Sequence, residues 1–109
     1  MRDRPQETVR TVTASDDTLN YLLDLADATR RHKQIRFGLS TRGALAVRHA
    51  AQAAAAMDGR DYLLPDDIKK MFPAVCTHRI HAAEGLLTDR QAAARLVSEI
   101  LDSVPVPKL

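Results

Sequence analysis

Ser40-Thr41-Arg42-Gly43-Ala44-Leu45-Ala46-Val47, running on through Ala50-Ala51-Gln52-Ala53-Ala54-Ala55-Ala56-Met57 to Asp58-Gly59, is the stretch that decides the fold. A serine able to cap, an alanine-rich run interrupted only by Arg48, His49 and Gln52, and a terminating glycine predict one helix from Thr41 to about Asp58. Its surface is apolar nearly all round, which predicts a central, deeply buried element. Upstream, Ser15, Asp16 or Asp17 can cap an earlier helix. Its apolar residues Leu19, Leu22, Leu23 and Ala26 follow the spacing of one helical face, and Arg30-Arg31 suit the negative end of its dipole. A connection from His32 to Leu39, carrying Ile35, Phe37 and Gly38, joins the two.

Downstream, Arg60-Asp61-Tyr62-Leu63-Leu64 leads to Pro65, a favoured first helical residue, with Asp66 and Asp67 at the positive end of the next helix. The stripe Ile68, Met71, Phe72, Val75, Cys76, Ile80 keeps helical register through Pro73. A proline there is expected to break the helix into two short pieces on one face. Gly85 interrupts the following connection. Thr88 with Gln91 makes a capping-box pattern ahead of the stripe Ala93, Leu96, Val97, Ile100, Leu101, Val104, which Pro105 and Pro107 stop. The expectation is an all-α, small four- to five-helix bundle. Its core unit is 15–104, preceded by an extended leader over 1–14 whose aliphatic side chains are Val9 and Val12, and followed by a tail over 105–109.

Composition agrees with that class. Trp is absent, Tyr and Phe number two each, and 109 residues suffice for one core. Sixteen Lys and Arg against fourteen Asp and Glu leave a formal charge of only +2, so the basic balance does not imply nucleic acid. A single cysteine excludes an intrachain disulfide and fits a reducing cytoplasm. With no bilayer-length apolar run and no apolar signal segment after Met1, the expected location is cytoplasmic, without membrane contact.

Four features could carry chemistry. Gly38 and Gly43 have the glycine spacing of a phosphate-binding loop, but Ala44-Leu45 follows where Lys and then Ser or Thr are needed, so the chain has no nucleotide-hydrolysing loop. Cys76, His78 and His81 invite a metal reading. Residues two apart on a helix lie about 200° round the axis, so Cys76 is read as core and no metal is expected. The pair Asp66-Asp67 is explained by the helix dipole. The basic run Arg30-Arg31-His32-Lys33 with Arg36 reads either as a solvated helix end or as a weak DNA-binding patch, and it lacks interleaved aromatics.

Arg42 stands apart. Capping by Ser40 puts it in the first turn of its helix, where a cation opposes the dipole by about 0.3–1 kcal/mol. That turn also presents unpaired N–H groups, so an arginine beside them suits an anion such as phosphate. An ordinary exposed arginine remains the alternative.

The ordered series Ala28-Thr29-Arg30 with His32, Gly38-Leu39-Ser40-Thr41-Arg42, Ala50-Ala51, Asp58-Gly59-Arg60-Asp61-Tyr62, Pro65-Asp66-Asp67-Ile68, Pro73-Ala74-Val75, His78-Arg79 and Val104-Pro105-Val106-Pro107 resembles the C-terminal lid of MoxR-type AAA+ ATPases. The resemblance implies a bundle of the AAA+ lid type, with Arg42 as the sensor 2 arginine and Gly38, Ser40 and Thr41 as its supporting turn. ATP and Mg²⁺ would then be bound mainly by an AAA+ core domain of the same protein, since this stretch has no Walker A or Walker B motif and no catalytic residue of its own. Such ATPases assemble into rings, commonly hexamers, remodel client complexes as chaperones do, and are associated with von Willebrand factor A domain proteins. Two departures stand out. Leu39, Thr41 and Gly43 replace a small residue, proline and alanine around the arginine. Leu64 replaces a capping Ser or Thr, which predicts fraying at Pro65. The rival reading is a standalone helical binding module.

Overall fold

Ser15 opens the first helix as its chemistry requires: its side-chain oxygen accepts the Thr18 N–H at 3.2 Å, and Asp16 and Asp17 occupy the positive end. The computed structural model describes residues 12–77, 79, 81–82 and 90–107. Among these residues four helices dominate: α1 (Asp16–Arg31), α2 (Thr41–Met57), α3 (Pro65–Cys76) and α4 (Arg90–Ser103). The bundle is of the expected all-α kind, with two short ladders that helical periodicity could not reveal. β1 (Thr13–Ala14) pairs in parallel with β3 (Tyr62–Leu63), and β2 (Ile35–Phe37) pairs antiparallel with β4 (His81–Ala82).

The first ladder ties residues 12–14 onto the bundle. Val12 is buried, Gln52 of α2 donates its side-chain N–H to the Val12 carbonyl at 3.2 Å, and the Thr13 N–H reaches the Asp61 carbonyl at 2.9 Å. The core joins Tyr21, Leu22 and Leu25 of α1, Val47, Ala51 and Ala55 of α2, Ile68, Phe72 and Cys76 of α3, and Leu96, Val97 and Ile100 of α4.

Three expectations need correction. On α1 the buried face is Thr18, Tyr21, Leu22, Leu25, Ala26 and Thr29, while Leu23 is 60% exposed. Both threonines can be buried because their hydroxyls are satisfied nearby: Thr29 Oγ1 donates to the Ala26 carbonyl at 2.6 Å, and Thr18 Oγ1 accepts from Ser15 Oγ at 3.0 Å. α2 is buried on one face only, since Leu45 is 48% and Met57 89% exposed. Alanines on its outer face serve helix propensity and need no burial.

Finally, α3 runs unbroken through Pro73 and ends at Cys76. The missing N–H removes one ladder bond, but Ile68, Phe72 and Cys76 flank the site in the core, and the Pro73 carbonyl accepts both Thr77 N–H and Thr77 Oγ1, at 3.1 and 2.7 Å. The expected features at Ile80, Gly85 and Thr88 lie outside the described residues, as does the Gln91 side chain.

Helix α2 stops as its sequence predicts. Gly59 takes φ +78°, its N–H reaches the Ala56 carbonyl, and the Arg60 N–H returns to the Ala55 carbonyl, each at 3.0 Å. This paired closure needs the left-handed backbone that glycine adopts without strain. Arg60 is thereby aimed at the start of α3. Leu64 has no side chain that can cap, yet that end is held: the Asp67 carboxylate accepts the Leu64 N–H at 2.8 Å and pairs with the Arg60 guanidinium at 2.7 and 2.8 Å. The fraying expected from Leu64 is offset by this arginine.

Candidate nucleotide-sensing turn

The connection from α1 to α2 is built so that its last residues have little freedom. Gly38 lies against the backbone of α1, where a Cβ would come within 2.7 Å of the Arg30 nitrogen. The Leu39 N–H donates to Thr29 Oγ1 at 2.8 Å, and the Leu39 carbonyl accepts from Arg30 Nε at 3.0 Å. The leucine side chain is fully buried. Ser40 then caps α2, its hydroxyl accepting the Gly43 N–H at 3.1 Å and its carbonyl the Ala44 N–H at 2.9 Å. Thr41 and Arg42 follow as the first two helical residues, both exposed.

Gly38, Ser40, Thr41 and Arg42 are thus brought together as one turn. The first turn of α2 contains no acid, and no acidic side chain of the described residues lies within ion-pair distance of Arg42. Arg42 thus adds a positive charge to a helix end where the N–H groups of Thr41 and Arg42 have no partner within the helix. Two positive ends coincide, an arrangement that favours an incoming anion. Alongside Thr41, a shallow apolar groove of about 210 Å³ runs between Leu19, Leu22 and Leu23 of α1 and Ala44, Leu45 and Arg48 of α2.

Two of the departures around the arginine, Leu39 and Gly43, compensate each other. A Cβ on Gly43 would lie 2.5 Å from Leu39 Cδ1 and 3.1 Å from its Cγ, so the leucine occupies the space that an alanine at 43 would need. Gly43→Ala is therefore expected to lower stability by about 1 kcal/mol, because overpacking outweighs a helix-propensity gain of similar size. On a Leu39→Ala background the same substitution should instead stabilise by about 1 kcal/mol. Denaturant midpoints of the four chains test this, and equal effects on both backgrounds would exclude the compensation.

The other candidates separate from this turn. In the basic run, Arg30 Nε donates to the Leu39 carbonyl, and Arg31, 81% exposed, pairs with Asp27 at 3.0 Å. Lys33 is exposed, and the Arg36 side chain lies outside the described residues. Cys76 is core as expected, with burial pushing its thiol up to about 12 against a smaller opposing effect of Arg79. Among the described residues no cluster of His, Cys, Asp or Glu could hold a metal; His78 and the His81 side chain lie outside them. Nor is any helix among them long and apolar enough to cross a membrane.

Sequence reasoning missed Arg60 as a structural residue and missed the hold of Thr29 and Arg30 on Leu39. A threonine eleven residues before a capping serine is the available signal, and it has meaning only once the turn is folded.

Comparison with known proteins places this geometry. The AAA lid domain family model matches residues 27–100, which include the whole turn. "Uncharacterized protein YeaC" of Bacillus subtilis is 35% identical over 102 residues, covering 94% of this chain and 32% of that protein. Chaperone MoxR1 of Mycobacterium tuberculosis is 28% identical over 100 residues, covering 84% of this chain and 26% of its own. The crystal structure of "a putative ATPase" from Cytophaga hutchinsonii superposes with a TM-score of 0.79 at 29% identity, covering 94% of this chain and 34% of that one. The chain therefore spans about a third or less of the length of these relatives. With the family model covering the turn and well over half of the chain, the chain belongs to the AAA lid domain family and is a lid of the MoxR type.

Proposed function

We propose that this domain is the nucleotide-sensing lid of an AAA+ ATPase, with Arg42 as its sensor 2 arginine, contacting the γ-phosphate of ATP held with Mg²⁺ by the core domain of the same protein. The observation that carries the reading is the exposed cation in the first turn of α2, set against its own helix dipole without an acidic partner among the described residues. Stability alone favours an acid there, and α1 and α3 do carry acids in their first turns. The bound nucleotide supplies the anion that the turn lacks.

Arg42 donates charge-assisted hydrogen bonds to that anion, while Gly38, Ser40 and Thr41 hold the helix end in place. When the γ-phosphate leaves, Arg42 loses its partner, and α2 is released to shift with the helices packed on it. Hydrolysis thereby becomes motion of the lid. The exposed leucines of the groove beside Thr41 offer apolar surface to the core or to a neighbouring subunit. The ATPase works in the cytoplasm as a ring, commonly of six subunits. It remodels client complexes in a chaperone-like way, alongside a von Willebrand factor A domain protein.

Arg42→Ala in the intact ATPase is expected to lower ATP turnover about tenfold, the value of one charge-assisted contact of about 1.4 kcal/mol. Circular dichroism of the same variant of this chain should show an unchanged helical fold. Unchanged turnover would remove the sensor role.

A further inference from the structure

We infer that Thr29 and Arg30, in the last turn of α1, are positioning residues for Arg42. This rests on the sensor role proposed above and extends it to another helix. The two side chains grip a single residue from both sides: Thr29 Oγ1 takes the Leu39 N–H at 2.8 Å, and Arg30 Nε donates to the Leu39 carbonyl at 3.0 Å. Thr29 is itself fixed, being fully buried with its hydroxyl proton on the Ala26 carbonyl at 2.6 Å. With the proton placed there, the oxygen is left to accept, and it accepts the Leu39 N–H.

Between this grip and Arg42 there is no slack. Gly38 is seated on the backbone of Thr29 and Arg30, Leu39 fills the space beside Gly43, and Ser40 closes the first turn of α2 on the Gly43 N–H. A shift of the C-terminal end of α1 must carry Leu39 with it, and Leu39 carries the helix start that presents Arg42. The end of α1 thus sets where the guanidinium stands, and an event that moves α1 is read out at the nucleotide. Arg30 serves here through its Nε–H, not through its charge, so it is not interchangeable with lysine.

The test uses the intact ATPase and a double-mutant cycle with Arg42. Thr29→Val keeps the shape and removes the acceptor. It is expected to lower kcat about fivefold with little change in KM, whereas Thr29→Ser, which keeps the hydroxyl, should retain wild-type turnover. Arg30→Gln, at an exposed side chain, should lower kcat about threefold. On an Arg42→Ala background neither substitution should lower kcat further, because both act through Arg42.

If Arg42→Ala lowers kcat while Thr29→Val and Arg30→Gln are without effect, or multiply with it, the positioning role is overturned and the sensor role stands. If Arg42→Ala leaves kcat unchanged, both fall. Should Thr29→Val fail to fold, Arg30→Gln carries the same cycle alone.

Discussion

Gly38→Ala is expected to destabilise the domain by about 3 kcal/mol, a fall of roughly 15 °C in melting temperature for a chain of this size. The atoms that a new Cβ would meet are the Arg30 nitrogen at 2.7 Å, the Arg30 Cα at 2.8 Å and the Thr29 carbonyl carbon at 2.8 Å. All three are helix backbone, so no side-chain rotation can give way. The connection must back off α1 instead. That movement lengthens the bond from the Leu39 N–H to Thr29 Oγ1 and draws Leu39 out of its buried place. Overpacking and an unsatisfied buried N–H each cost on the order of 1–3 kcal/mol, and here they arise together.

Gly59→Ala is the control. At φ +78° with nothing within 4 Å, it meets conformational strain alone and should cost about 1 kcal/mol. Thermal unfolding of the two variants separates the causes. A Gly38→Ala melt close to that of Gly59→Ala would show that the connection moves freely off α1, which would also weaken the link between α1 and Arg42.

The difference between these glycines marks what sequence could and could not reveal. Gly59 was legible because its role is local: an alanine-rich run, a glycine, and a paired closure within six residues. Ser15, Ser40 and Pro65 were legible for the same reason. The turn around Arg42 could be located by capping and by family resemblance, and the odd cation in the first turn of α2 was visible before any fold. What holds that turn was not visible, because the grip of Thr29 and Arg30 joins residues that meet only after α1 and α2 have packed. Thr29 also misled in another way. A reading by hydrophobicity assigns polar residues to solvent, so it chose Leu19 and Leu23 for the inner face of α1, whereas two threonines with locally satisfied hydroxyls lie there. Pro73 shows the same limit from the opposite side, since a reliable local rule yields where core packing holds the helix together.

Arg60→Met should cost about 3 kcal/mol near neutral pH, because it strands a charge that the fold has enclosed. The Asp67 side chain is 9% exposed and that of Arg60 17%, and they meet in two parallel bonds of 2.7 and 2.8 Å. The guanidinium also bonds Asp58 Oδ2 at 3.0 Å and the Tyr62 carbonyl at 3.2 Å, and its Cζ lies 5.5 Å from the centre of the Tyr62 ring. One side chain therefore joins the end of α2, the β3 strand and the start of α3. Removing it leaves the Asp67 carboxylate with the Leu64 N–H and little else.

The pH dependence gives this prediction its sign. Burial pushes the Asp67 carboxyl upward, but the Arg60 hydrogen bonds, the Leu64 N–H and the charges of Arg60 and Lys70 together hold it below the usual carboxylate value. A group whose folded value is depressed stabilises the fold above its unfolded value, near 4, and that contribution is lost as pH falls through the folded value. Without Arg60 the balance reverses toward burial, and protonating Asp67 then relieves the variant. The gap in urea midpoint between wild type and Arg60→Met should be widest near pH 7 and narrow steadily toward pH 3. Arg60→Met/Asp67→Asn, which removes the stranded charge while keeping an acceptor for Leu64, should recover a good part of the loss at pH 7. A gap that stays constant with pH, or a double variant no better than the single one, would mean that Arg60 matters for its packing against Tyr62 and not for Asp67. The start of α3 would then need another explanation for holding firm without a capping side chain at Leu64.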